Sequence, residues 1–407
     1  MNKNLDSTIA RKILETISNS GTPPEYGFQF FSVGLETYLD VIKEEYLDDF
    51  VKEGGSTFKL IVEEYGGGKT HFLYSVREVA WERDYVCSYI VLSPERTPFH
   101  KMEAVYSAIV ENLVYQQDPV TLLEDYERGI KSLIEKWYRE KLEEFSAVLD
   151  PRETREALED YANELGQYDF TSYRNALKYA FISLVNNNND DYETIIQWLN
   201  GEKVPVAAVK KFGIFDKIDK TTAFKAIRSL VQWTKEIGYS GLVILLDEAE
   251  TSISGKQKTL LYQNLRELID ECGRINFKST MWFYAVPDEK FLDGREQVYE
   301  ALKQRLSTIF DSDINPSGVK IRLDTSDEEQ LDHLKMIGKK LSYIYGTAYN
   351  YQFENDSLDA AIELVAQYAY DNKLMTGYKR MFVQNIVRAF HFLKKKGGVP
   401  TLEELGL

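Results

Sequence analysis

Residues 57–70 read TFKLIVEEYGGGKT and run straight into HFLYSVREVAWE at 71–82. Thr57 to Val62 is a short apolar run that predicts a buried strand, and the stretch after Lys69 has helical period. Between them lies a glycine-rich turn, Tyr65-Gly66-Gly67-Gly68-Lys69-Thr70. Such a strand–turn–helix gathers backbone N–H groups at a helix N-terminus, where the dipole favours negative charge. Gly66, Gly67 and Gly68 let the backbone wrap a phosphate without Cβ clashes. Lys69 reaches outer phosphates, and the Thr70 hydroxyl is placed for Mg²⁺. The full phosphate-loop pattern, G-x-x-x-x-G-K-[ST], asks for glycine five positions before Gly68; this chain has Glu63. A carboxylate there either repels a triphosphate or points away from the loop.

A phosphate loop needs a carboxylate partner for the metal and a second one to orient the attacking water. Residues 241–246, GLVILL, form a continuous apolar run of the kind found in central parallel strands. They end in Asp247-Glu248-Ala249-Glu250. The carboxyl end of a parallel strand is the ligand side of the sheet. Asp247 is therefore the candidate metal carboxylate and Glu248 the candidate base. Further strands are expected at 85–93, 279–286 and 319–323, with helices at 5–20, 34–52, about 256–271 and about 295–309, and helix from 326 onward with a turn at Thr376-Gly377. Asp247 lies 178 positions beyond Lys69. That spacing leaves room for a large helical insertion, about 116–222, on an α/β core. The expected organisation is an N-terminal helical segment (1–53), a core with its insertion (54–323) and a C-terminal lid (324–407).

The composition narrows the function classes. The chain has 407 residues, 43% hydrophobic and 28% charged, with 27 Tyr and 21 Phe. That is ample for a packed core and excludes wholesale disorder. A net charge of −16 argues against a surface coated for nucleic acid, although not against a local basic groove. Two cysteines and four histidines build neither a disulfide framework nor a zinc site. The first twelve residues lack the apolar core of a signal peptide, and no apolar run approaches the ~18 residues of a membrane span. A cytoplasmic location is the expectation.

FQFFSVGLETYL at 28–39, the phosphate-loop segment at 58–78, IGYSGLVILLDEAE at 237–250 and LYQNLRELID at 261–270 occur in this order. Together with GTPP at 21–24, they resemble the ATP-binding proteins of BREX-type bacterial phage-defence operons, most nearly the small stand-alone component. The resemblance covers about residues 10 to 390. That family resembles the origin-recognition-like and STAND branch of AAA+ ATPases. It implies a parallel-sheet P-loop core with a helical or winged-helix C-terminal lid, ATP and Mg²⁺ as ligands, self-association, and other defence-operon proteins as partners. It also implies that Val33 and Gly34 close over the adenine. The family carries glycine at the position of Glu63, which leaves hydrolysis the open step.

AAA+ sites are completed by arginines that neutralise charge in the transition state. Arg305 stands where an arginine finger reaching a neighbouring subunit would be, and Arg380, in TGYKRMF, resembles a lid arginine. His71 reads as a packing residue at the helix start. Lys394 to Lys396 complement a helix C-terminus or contact DNA. The insertion's charged faces carry Tyr126, Trp137, Tyr138, Tyr161 and Tyr168, expected as exposed anchors for protein partners. Three functions compete: an ATP-hydrolysing switch, a catalytically weak ATP-dependent scaffold, and a DNA-stimulated motor, the last suggested by DEAE.

Overall fold

The computed structural model describes residues 5–64, 66–117, 126–248, 255–274, 276–288, 297–323, 327–373 and 377–407. Tyr65, Ala249, Glu250 and Thr376, all named above, lie outside them, as does part of the insertion at 118–125.

Six strands form one sheet: β1 (Ser56–Val62), β2 (Tyr85–Val91), β3 (Leu113–Val114), β4 (Gly241–Asp247), β5 (Thr280–Val286) and β6 (Lys320–Arg322). Their spatial order is β3-β2-β4-β5-β1-β6. All neighbours are parallel except β2 and β3. The fold class is thus a mixed α/β protein with a mostly parallel sheet, as the apolar runs predict. Alternation along the strands explains why those runs are continuous. Leu242, Ile244 and Leu246 join one apolar core, while Val243 and Leu245 join another on the opposite face. A sheet covered on both faces has no polar side to write into its sequence.

The helices in chain order are α1 (Ser7–Ser20), α2 (Glu36–Val41), α3 (Lys69–Trp81), α4 (Met102–Glu111), α5 (Gly129–Ser146), α6 (Pro151–Asn163), α7 (Thr171–Val185), α8 (Asn189–Leu199), α9 (Val206–Val209), α10 (Ala223–Glu236), α11 (Gly255–Gly273), α12 (Gln297–Arg305), α13 (Asp327–Tyr349), α14 (Asn355–Asp371), α15 (Tyr378–Lys396) and α16 (Leu402–Leu405). Helix α2 does not continue to 52 as an α-helix: it passes into a nine-residue π-helical stretch, Ile42–Phe50. The strand expected over 85–93 ends at Val91, and the short strand β3 was not expected from the sequence. No described helix is long and apolar enough to cross a membrane.

Helices α5 to α8 and α10 pack on one face of the sheet in the same core as β4 and β5. The insertion's aromatics were expected outside, and the structure corrects this. Trp137 is 2% exposed, with its ring 4.4 Å from Phe181 and 5.6 Å from Trp233. Tyr126, Tyr138, Tyr161 and Tyr168 are half-buried, and Tyr161 accepts a hydrogen bond from the Trp137 indole at 3.1 Å. Large rings fill the space between helices before they serve a partner.

Helix α1 starts where Asp6 accepts from the Thr8 and Ile9 amides at 2.7 and 2.8 Å, and it ends at Gly21 with φ +63°. Its buried stripe, Ile9, Ala10, Ile13, Leu14 and Ile17, packs into one apolar core with α13, α14 and α15. Among the described residues beyond 323 the regular structure is helical. The N-terminal helix and the C-terminal helices therefore meet over the glycine-rich turn.

Candidate functional site

The turn between β1 and α3 carries Gly66 with φ +83° and Gly68 with φ +113°, backbone angles that favour glycine. Helix α3 begins at Lys69, so its first amides face the cleft above the turn. The Lys69 ammonium donates to the carbonyls of Glu63 and Glu64 at 2.6 and 2.8 Å. Burial lowers its pKa, against the raising influence of Asp247, Glu63, Glu248 and Glu64. An anion in the cleft would favour the charged form further.

The sheet order places β5 between β1 and β4, yet Thr70 and Asp247 meet. The Thr70 hydroxyl donates to Asp247 Oδ2 at 2.7 Å across 177 positions of sequence. Asp247 is 1% exposed, and its Oδ1 accepts from the Glu248 amide at 2.8 Å. Glu248 itself is exposed and holds φ +53°, uncommon for a residue with a Cβ. Strain of this kind costs about 1–3 kcal/mol and clusters at functional sites. A hydroxyl and a carboxylate beside a phosphate cradle are hard oxygen donors. They suit Mg²⁺, which binds through few protein ligands and keeps its waters. The two residues proposed for the metal therefore fit it.

Glu63 does not point away from the loop. A Cβ on Gly67 would stand 1.9 Å from Glu63 Oε1, so the carboxylate lies directly against the Gly67 backbone. The missing glycine of the motif is replaced by a side chain folded under the turn.

Walls rise from both ends of the chain. Val33, Gly34, Leu35, Tyr38, Pro23 and Ile17 line the cleft from the N-terminal side, and His333, Ile337, Lys379, Arg380 and Val383 line it from the C-terminal helices. The cleft holds about 1160 Å³ of empty space, its open mouth included. Gly34 turns at φ +72°, and a Cβ there would meet His333 at 2.8 Å. Val33 and Gly34 thus line the same cleft as the glycine-rich turn. His71 packs edge-on to Phe28 and Phe31 and hydrogen-bonds Ser32, the packing role expected for it. Burial, with His333, Lys379 and Lys340 nearby, takes its pKa down to about 3; burial and Lys379 take His333 to about 4. Both imidazoles stay neutral near pH 7.

The C-terminal helices touch the turn. A Cβ on Gly66 would stand 2.6 Å from the Gly377 Cα, and Lys379 donates to the Gly67 carbonyl at 2.8 Å. Arg380 also lines the cleft, but its stem runs over Gly21, whose Cβ would stand 2.0 Å from Arg380 Cγ. Arg305 is elsewhere. It grips Asp270 of α11 through Nε at 2.6 Å and Nη2 at 3.2 Å, and donates to the Ala301 carbonyl at 3.0 Å. It does not line the cleft of its own chain.

Two contributors escaped the sequence reading. Lys379 is one position before the arginine that drew attention. Tyr89 donates its hydroxyl to Asp247 Oδ2 at 2.8 Å. A tyrosine in a buried strand carries no motif, and only its neighbour in the sheet reveals it.

A family model described as BREX system ATP-binding protein BrxC/D matches residues 6–405. No curated protein and no solved structure matches the chain.

Proposed function

The chain belongs to the family of BREX system ATP-binding proteins BrxC/D, and from that premise we propose that it is an ATP-hydrolysing, AAA+-like switch of a phage-defence system. The observation that carries this reading is the hydrogen bond from Thr70 to Asp247. Residues drawn from two distant motifs meet at the mouth of a glycine-rich turn, where a nucleotide's outer phosphates would lie.

In this mechanism the amides of the turn and of the start of α3 cradle the phosphates. Lys69 exchanges its loop carbonyls for the outer phosphate oxygens. Val33, Gly34 and Tyr38 on one side and Ile337 and Val383 on the other enclose the base. Thr70 and Asp247 would hold Mg²⁺, which when bound would supply positive charge against that of the phosphates. Glu248, exposed beside Asp247, orients the attacking water and takes its proton. Lys379 and Arg380 bring lid cations to the same cleft. Arg305, held by Asp270 outside its own cleft, serves a neighbouring subunit in an assembly. Partners are other defence-operon proteins.

Glu63 favours a second reading. A carboxylate seated against Gly67 adds negative charge beneath the phosphates and tightens the space under the turn. ATP would then act chiefly as a latch on a scaffold, with slow turnover. Phosphate release by the purified protein, with and without DNA, separates these readings. Turnover abolished by Glu248→Gln supports the switch. Binding without turnover supports the latch, and strong stimulation by DNA supports a motor.

A further inference from the structure

Tyr89 lies in β2, in register with Leu245 of β4, which places its ring beside the end of the acidic strand. Its hydroxyl and that of Thr70 both donate to Asp247 Oδ2, at 2.8 and 2.7 Å, while Oδ1 accepts the Glu248 amide at 2.8 Å. The terminal torsion of an aspartate is soft. Three donors on two oxygens remove that freedom and fix which edge of the carboxylate faces Thr70. From this geometry we infer that Tyr89 is a positioning residue for magnesium, holding the Asp247 carboxylate in the orientation that serves a metal ion beside Thr70. The inference rests on the nucleotide reading above.

The ring is itself held. Its centroid is 4.8 Å from that of Tyr74 on α3. The Arg77 guanidinium covers Tyr74 at 4.7 Å and donates to the Glu25 carbonyl at 2.5 Å. Tyr126 hydrogen-bonds the Glu25 carboxylate, closing the stack at the root of the helical insertion. A tyrosine clamped in this way cannot swing from its carboxylate. Partners that orient metal ligands typically contribute 10–100-fold to metal affinity.

The test is calorimetric binding of ATP to the full chain, in chelator and in excess Mg²⁺, for the wild type and for Tyr89→Phe, which keeps the ring and removes the hydroxyl. Metal-free affinity should stay within about twofold, while the enhancement of affinity by Mg²⁺ should fall about tenfold or more. Mn²⁺ titration followed by electron paramagnetic resonance should show the same loss directly. A variant with the wild-type enhancement overturns the inference. So does one that loses metal-free affinity and melting temperature together, because that marks a packing role. A wild type that binds ATP with no enhancement by Mg²⁺ overturns the inference alone. A wild type that binds no ATP overturns the nucleotide reading and this inference with it.

Discussion

At Glu63 the chain departs from its motif, and a substitution at Gly67 can read the consequence. The residue has no need of positive φ, yet its Cβ would collide with Glu63 Oε1. Gly67→Ala should therefore weaken ATP binding and lower stability by about 1–3 kcal/mol, the usual range for overpacking. The double variant Gly67→Ala, Glu63→Gly should recover most of both, measured by calorimetry and thermal unfolding; no recovery would mean that the collision is not the cause. Lys69→Ala should reduce ATP affinity more than tenfold, about 1.4 kcal/mol, and equal binding would remove the phosphate-loop assignment. Lys59 gives a pH dependence. It is fully buried in β1, donates to Tyr46 Oη at 2.7 Å and to the Gly318 carbonyl at 2.7 Å, and burial lowers its pKa to about 7. Below about pH 7 the folded and unfolded chains both carry the proton, and the folded chain bears the desolvation cost in full. Between about 7 and 10.4 only the unfolded chain holds the proton, so stability rises with pH. Relative to Lys59→Met, the wild type should gain stability from pH 7 to pH 9, by at most ~1.4 kcal/mol per unit. A constant difference in urea unfolding at the two pH values would count against it.

Among the elements, the helical insertion shows how far patterning carries. Its helical character is legible because charged faces alternate with apolar stripes at helical period. Which aromatics face outward is not legible, because Trp and Tyr serve cores and interfaces alike. Trp137→Ala should destabilise the insertion by about 3–5 kcal/mol, the cost of emptying a large aromatic site. ATP affinity should be unchanged, since Trp137 is not among the residues lining the cleft. Limited proteolysis together with nucleotide titration checks both halves. Lost ATP binding in a still-folded protein would show that the insertion and the site are coupled.

For the whole molecule, the open question is whether Arg305 acts across a subunit boundary. Its bidentate hold on Asp270 fixes the guanidinium at a half-exposed position. If it acts across that boundary, Arg305→Ala and Glu248→Gln should each be inactive alone. Mixed together they should regain turnover, because some interfaces then contain one intact pair. Activity per mole should also rise with protein concentration. Undiminished turnover by Arg305→Ala, in a protein that sediments as a monomer throughout, would refute the arrangement.

Local patterns in the sequence were enough to read the mostly parallel sheet, the glycine-rich turn and the acidic strand end. Each is a local pattern with a local cause: an apolar run for a strand buried on both faces, glycines for a turn that admits an anion, and a carboxylate at the ligand end of a strand. The two motifs drew attention to Thr70 and Asp247, and their side chains meet. Tertiary structure alone decided what stands around them. Tyr89 reaches Asp247 because β2 lies beside β4; Lys379 reaches Gly67 because the C-terminal helices fold back over the turn with α1. Glu63 lies against Gly67 instead of turning outward, and Arg305 faces Asp270 instead of its own cleft. Sequence spacing constrains which residues share an element, but contacts across elements depend on strand order and helix docking, which burial over the entire chain selects.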